Sequence, residues 1–262
     1  MLTVFTSVKT CREAVCVSGP SNPSMAATAT SGPTRRERAR DATTTEIKAT
    51  ARALLVADGP DALTVRAIAR TMGLTPAALY RYFAGHEELV TAMCGDVLDE
   101  ITATLETARD TVALDDPIGR LMVICRAFRA WSLAHPREFQ LTFASMIDKP
   151  SIVAEAQDDE GIAFGGVFLG VFVEIWAHQP FRVPTEAELS PALLVQLNEF
   201  SARTGDRLPT GVLVAYLSGW VRLYGAVTIE VFGHLGFALA DPEPMFEAML
   251  ADMCRAMSTP VS

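Results

Sequence analysis

From Arg35 to near the end of the chain, apolar residues return every three or four positions. No stretch alternates apolar with polar residues long enough to form a strand. That regularity excludes sheets and barrels and predicts an all-α fold of amphipathic helices. The 262 residues allow one or two domains, and a composition half apolar and one-fifth charged is that of a globular protein. Residues 1–34 stand apart. They are rich in Ser, Thr, Pro, Gly and Ala with almost no apolar periodicity, and read as a disordered tail, with Met25 as an alternative start.

The breaks between periodic segments give an element order. A first helix spans about Arg36 to Ala57, with Ile47, Ala51, Leu54 and Leu55 on one face and Asp58-Gly59-Pro60 ending it. A short second helix follows Thr64, with Val65, Ile68, Ala69 and Met72 in register, and Gly73 breaks it. Thr75-Pro76 opens a third short helix that Phe83-Ala84-Gly85 closes. A long fourth helix runs from about His86 to Arg109 with Val90, Met93, Val97, Ile101 and Leu105 aligned. Further helices fall near 116–134, 136–148, 160–178, 186–203, 209–236 and 243–257. The expected organisation is a tail over 1–34, a small head over 35–85, a helical body over 86–257 and a short tail over 258–262.

Charge divides along the same line. The net charge of −9 excludes a protein that coats nucleic acid indiscriminately, but residues 35–91 carry nine Lys/Arg against seven Asp/Glu, whereas residues 92–262 carry eleven against twenty-three. A mildly basic head on an acidic body suits one DNA-facing end. The five cysteines are scattered without zinc spacing, and only Cys11 and Cys16 lie close, as in a reducing cytosol. No secretory signal is evident, and the longest strongly apolar uncharged run, Gly161 to Val173, is shorter than the roughly 20 residues a span needs. A cytoplasmic protein without membrane partners is expected. The four histidines, 86, 135, 178 and 234, are too dispersed for a metal site, and no phosphate loop or nucleophile elbow occurs. No cofactor, metal or enzymatic activity is expected.

Two short amphipathic helices joined across Met72-Gly73-Leu74 form a helix-turn-helix candidate. Gly73 relieves a positive φ at the turn, Leu74 and Leu79 bury between the helices, and Thr64 and Thr75 stand as N-caps. The stretch Leu63-Thr64-Val65-Arg66-Ala67-Ile68-Ala69-Arg70-Thr71-Met72-Gly73-Leu74-Thr75-Pro76-Ala77-Ala78-Leu79-Tyr80-Arg81-Tyr82-Phe83 resembles the DNA-binding head of TetR-family regulators, and the similarity continues through Ala84-Gly85-His86-Glu87-Glu88-Leu89. The resemblance implies a double-stranded DNA operator, with the helix Thr75 to Tyr82 in its major groove. Thr75, Pro76, Ala77 and Ala78 would then face bases, and Tyr80 would bond a phosphate with Arg81 or Tyr82 nearby. Thr64 and Arg66 would touch the DNA backbone. Arg35, Arg36, Arg38 and Arg40 read either as a basic arm on DNA or as solvated residues. Tyr80 has a second reading, as a core aromatic at the hinge of the head. Two departures stand out: His86 replaces the usual lysine at a phosphate contact, and Ala77-Ala78 replaces Gly-Ala.

In the body, Phe164, Val167, Phe168, Val171, Phe172, Ile175 and Trp176 make one broad apolar stripe, with Gly161, Gly165, Gly166 and Gly170 on much of the other face. Neighbouring helices carry Phe128 and Trp131, then Phe139 and Phe143. Bundle interiors often hold small molecules, so Phe128, Trp131, Phe143, Phe164, Phe168, Phe172 and Trp176 are candidate ligand-lining residues; plain core is the alternative for each. Glu174 either meets a cationic ligand or His178, or faces solvent. The segment Gly219-Trp220-Val221-Arg222-Leu223-Tyr224-Gly225 through Leu235 is similar to the Trp-His-Gly type of TetR C-terminal domain, with Tyr224 in place of its histidine, and Ala134-His135-Pro136-Arg137-Glu138-Phe139-Gln140-Leu141 is similar to the same domain's linker. This second resemblance implies an effector-binding body that dimerises through its last two long helices, with Leu213, Leu217, Trp220, Val227 and Val231 packed either within the subunit or across the interface. The function implied is that of a homodimeric repressor on a pseudo-palindromic operator, released by a small, largely apolar effector. An alternative keeps the same head but assigns control to a protein partner and leaves the pocket vestigial.

Overall fold

The computed structural model describes residues 34–144, 159–205 and 208–258, and no extended strand occurs among them. The expected tail before Thr34, the alternative start at Met25, Cys11 and Cys16, residues 145–148 of an expected helix, and residues 259–262 lie outside the described residues.

Local chemistry sets the head. Helix α1, Arg35–Asp58, begins at a reciprocal cap: the Glu37 amide donates to the Thr34 hydroxyl at 3.3 Å, and the Thr34 amide donates to the Glu37 carboxylate at 2.6 Å. Gly59, at φ 86°, ends it, and a 3-10 turn over Pro60–Ala62 follows. Helix α2, Val65–Thr71, is capped by Thr64, whose hydroxyl accepts from the Ala67 amide at 3.1 Å. Helix α3, Pro76–Leu79, is capped in the same way by Thr75, accepting from the Ala78 amide at 3.3 Å. Such caps contribute about 1 kcal/mol each. Between α2 and α3 Gly73 sits at φ 68°, the left-handed conformation that the sequence leads one to expect there. The regular part of α3 is shorter than the expected Thr75–Tyr82, since the chain continues through Tyr82 as tight turns, with the Tyr82 amide bonded to the Leu79 carbonyl at 2.9 Å.

Helix α4, His86–Arg109, leads into the body, which consists of α5 (Pro117–Ala134), α6 (Pro136–Phe139) with a π turn over Gln140–Ala144, α7 (Asp159–His178), α8 (Pro191–Thr204), α9 (Thr210–Val231) and α10 (Glu243–Met257). Two elements differ from expectation. Residues 186–203 are not one helix: a 3-10 turn over Glu186–Glu188 stops, and α8 restarts at Pro191, which has no amide to donate and follows the capping hydroxyl of Ser190. Helix α9 ends at Val231 rather than 236, because Gly233 turns left-handed at φ 68°.

The core has two centres. Ile47, Ala51, Leu55, Ile68, Leu79 and Phe83 pack together in the head, while Ile101, Leu121, Phe128, Phe168, Leu223 and Leu250 belong to the body core. Helix α4 serves both: Leu89, Met93 and Cys94 enter the first, and Val97, Leu98, Ile101 and Leu105 the second. Two helices, Gly161–His178 and Thr210–Val231, are long and apolar enough to cross a membrane by composition alone. Both pack into this bundle, the first burying Phe164, Val167, Phe168, Val171, Phe172 and Ile175.

Candidate DNA interface and aromatic core

The caps fix how the head presents its polar edge. Thr64 and Thr75 use their oxygens to accept backbone amides, which leaves each hydroxyl hydrogen free to donate outward. Both threonines are exposed, as are Arg66, Pro76, Ala77, Arg81 and His86, whereas Ala78 is half-buried. The two tyrosines part company. Tyr82 packs against the head core, while Tyr80 is 55% exposed, which rules out the core reading of Tyr80. The head therefore exposes an aromatic hydroxyl, two threonine hydroxyls at helix N-termini, and the guanidinium groups of Arg66, Arg70 and Arg81. At the start of α4, Gly85 offers no side-chain cap, and Glu88 folds back onto the Ala84 amide beside the exposed His86. Arg35, Arg36, Arg38 and Arg40 are exposed on the first turns of α1, so they ride on a helix rather than on an extended arm.

The head is tied to the body through polar contacts. Arg52 of α1 bonds Glu100 of α4 at 2.6 and 3.3 Å and Glu138 of α6 at 3.2 Å, while Trp131 of α5 donates its indole N–H to Glu100 at 2.9 Å. The Arg52 guanidinium, with help from the Trp131 N–H, holds the Glu100 carboxyl below its ordinary range.

The aromatic residues singled out in the body do not form a single lining. Phe128, Phe143, Phe164 and Phe168 meet in one cluster, with centroid separations of 5.6 to 6.4 Å. Phe172 instead meets Tyr216, Trp176 meets Phe181, and Trp131 stacks on His135. Trp220 and Tyr224 complete the cluster, and with Tyr216 they recur every fourth residue on α9, a spacing legible in the sequence but not used. The Tyr224 hydroxyl donates to the Phe143 carbonyl at 2.7 Å and that of Tyr216 to the Gly165 carbonyl at 3.3 Å; burial pushes the Tyr216 phenol up to about 12. The cluster is closed: beside it lies a void of only about 10 Å³, bordered by Phe168, Phe172, Tyr216 and Trp220. Glu174 pairs with the buried Arg120 at 3.1 Å. Leu213 and Val227 lie inside the subunit, Trp220 joins the rings, and Leu217 and Val231 are half-buried.

With this geometry in place, the comparisons with known proteins agree on the family. Residues 47–93 match the model of bacterial regulatory proteins of the tetR family, and residues 121–253 match the tetracyclin repressor-like C-terminal domain. The chain belongs to the TetR family. It is 28% identical over 220 residues to the HTH-type transcriptional regulator Rv1816 of Mycobacterium tuberculosis (strain ATCC 25618 / H37Rv), covering 82% of this chain and 92% of that protein; Mb1846 of Mycobacterium bovis matches equally. Among solved structures, the putative regulatory protein SCO4313 superposes with a TM-score of 0.61 at 28% identity, over 84% of this chain and 98% of that one. A protein of unknown function from Rhodococcus sp. RHA1 shares the fold, with a TM-score of 0.58 at 20% identity over 81% and 93% of the two chains. This TetR-family chain is thus a DNA-binding transcription regulator, with a helix-turn-helix near its N-terminus and a helical C-terminal body.

Proposed function

We propose that the chain is a cytoplasmic, homodimeric repressor, without enzymatic activity, that leaves a pseudo-palindromic operator when a small, largely apolar effector enters its body. Residues 35–85 make up the DNA-binding head and 86–257 the effector and dimerisation body. The observation that carries this reading is the continuity of α4, whose first turns share the head core and whose later turns share the body core. A rearrangement of the aromatic cluster would tilt that helix and change the separation of the two α3 segments in a dimer. An effector does so only if it binds the two states with different affinity, and coupling of about 1–3 kcal/mol is the expected scale.

On DNA, Thr75, Pro76, Ala77 and Ala78 approach base edges, and Tyr80, with Arg81 and Tyr82 beside it, meets phosphate. Thr64, Arg66 and His86 flank them on the backbone. Pairing of subunits follows from α9. Val221, Gly225 and Ile229 share its outer face, between the half-buried Val214 and Leu217 and the exposed Phe232 just past its end; Val221 is 68% exposed, and a side chain at Gly225 would meet nothing within 4 Å. An uncovered apolar stripe of this kind, with a glycine at its middle, suits a close antiparallel crossing with a second copy.

The test is an operator titration of the full-length protein with and without members of an apolar compound library. A hit should lower operator affinity by roughly 5- to 150-fold. A library that neither shifts the melting temperature nor releases DNA would contradict the effector half of the proposal, and a monomer at micromolar concentration would contradict the other.

A further inference from the structure

We propose that a trench between α7, α9 and α10 is the entry and head-group site for an anionic amphiphile, whose carboxylate rests at Arg182 and whose alkyl chain enters the body beside Phe172. The inference rests on the effector reading above and gives it a chemical class. Three spaces adjoin one another. The interior void of about 10 Å³ is bordered by Cys125, Phe168, Phe172, Gly219, Trp220 and Met253. Outside it is a recess of about 160 Å³, which Phe172, Gly219 and Met253 also border, so one layer of side chains separates the two. Arg182 and Ala256 line both this recess and a wider surface hollow of about 550 Å³.

The partition is thin and soft. A Cβ on Gly219 would stand 3.2 Å from the Met253 methyl and 3.6 Å from the Phe172 ring, so only the missing side chain keeps that layer from being thicker. Methionine repacks readily, and the apolar void behind it already lacks contacts that an alkyl chain would supply. The mouth has one guanidinium to offer. Arg222 is committed to Asp252 at 2.6 Å, and Glu188 is held by the Thr185 amide and hydroxyl at 2.7 and 2.9 Å. Arg182 is exposed and makes no hydrogen bond or ion pair among the described residues. The Glu188 carboxylate lines the same hollow, and the Thr185 hydrogen bonds and, less strongly, the Arg182 charge hold it below its ordinary range. A guanidinium with no hydrogen-bonded partner at the rim of an apolar passage matches a ligand with an anionic head and a hydrocarbon tail. Along α9, at about 100° per residue, Gly219 lies more than a quarter-turn from Val214, Val221 and Gly225, whereas Ser218 and Arg222, which also line the recess, lie within about 20° of Gly225 and Ile229 respectively, so the trench borders the pairing face.

Decanoate and the uncharged 1-decanol serve as probes, with binding to the full-length protein followed by calorimetry and tryptophan fluorescence. Decanoate should bind. Arg182→Gln should weaken decanoate by about tenfold or more while leaving 1-decanol unchanged. Ala256→Trp, a plug at an exposed position, should weaken both without altering melting temperature or oligomeric state. No decanoate binding, equal binding by Arg182→Gln and wild type, or a change of oligomeric state in Ala256→Trp would overturn the proposal, the last by showing that the trench is a contact between copies. Failure of the broader reading looks different: decanoate then binds as described but leaves operator affinity unchanged. Conversely, another apolar compound that releases the operator without competing with decanoate refutes the trench and keeps the effector reading.

Discussion

The head packs aliphatic side chains, Ile47, Ala51, Leu55, Ile68 and Leu79, around one buried aromatic, Phe83, whereas the centre of the body is a group of rings from Phe128 to Tyr224 drawn from four separate segments. In the head, caps three residues away from the amides they satisfy and a left-handed glycine fix the shape within one short stretch of chain. In the body most ring contacts join distant parts of the sequence, such as Phe128 with Trp220 and Phe143 with Tyr224. The contrast assigns the two regions different work. A locally locked head suits a constant DNA-facing edge, and in the proposed repressor a body held by long-range ring packing is the part that an inserted apolar ligand would disturb.

Substitutions sharpen that contrast. Phe128, fully buried, touches five other rings, and Phe128→Ala should lose about 3–5 kcal/mol in denaturant unfolding. A loss below about 1 kcal/mol would show that the ring cluster does not hold the body together. At the junction, Arg52→Ala strands Glu138, which is 4% exposed, and should cost about 3 kcal/mol. The neighbouring Arg52–Glu100 pair has a pH signature. Arg52 depresses the folded-state pKa of Glu100, so its contribution is present above the unfolded value of about 4.3 and is lost as pH falls through the lower folded value. Arg52→Ala should flatten that acid-side slope in stability measured from pH 5 down to 2; an unchanged slope would place the acid sensitivity elsewhere. In the head, Gly73→Ala forces a side chain into φ 68° and should cost about 1–2 kcal/mol, although nothing lies within 4 Å of the added methyl. A neutral Gly73→Ala would mean the turn is not under this constraint.

Much of the head was legible in the sequence for the same reason that it is locally locked. Thr64, Gly73, Thr75 and the span His86–Arg109 are signals read within a few residues, and each is found where the spacing places it. The body was less legible. Periodicity identified Phe168, Phe172 and Trp176 as one apolar stripe, yet they face three different partners: Phe168 and Phe172 meet rings from helices distant in sequence, and Trp176 meets Phe181 just beyond its own helix. Glu174 illustrates the limit: its partner Arg120 lies 54 residues earlier, a pairing that no spacing on its own helix reveals. Tyr80 and Tyr82, two residues apart, were separable only by their burial.

The smallest change in stability belongs to Tyr80→Phe, since removing the hydroxyl of a tyrosine that is 55% exposed leaves no buried group unpaired. Its effect on DNA is the most direct test of the account, which holds that the exposed edge from Thr75 to Tyr82 reads an operator with Tyr80 on phosphate. The measurement is the affinity of wild type, Tyr80→Phe and Ala77→Gly for the operator and a panel of single-base variants at fixed salt. Tyr80→Phe should weaken binding by a similar several-fold factor for every sequence, as the loss of about 0.5–1.5 kcal/mol from one phosphate hydrogen bond requires. Ala77→Gly should instead change preference at one position by about 1–3 kcal/mol. A Tyr80→Phe protein that alters sequence preference while keeping its overall affinity would contradict the account.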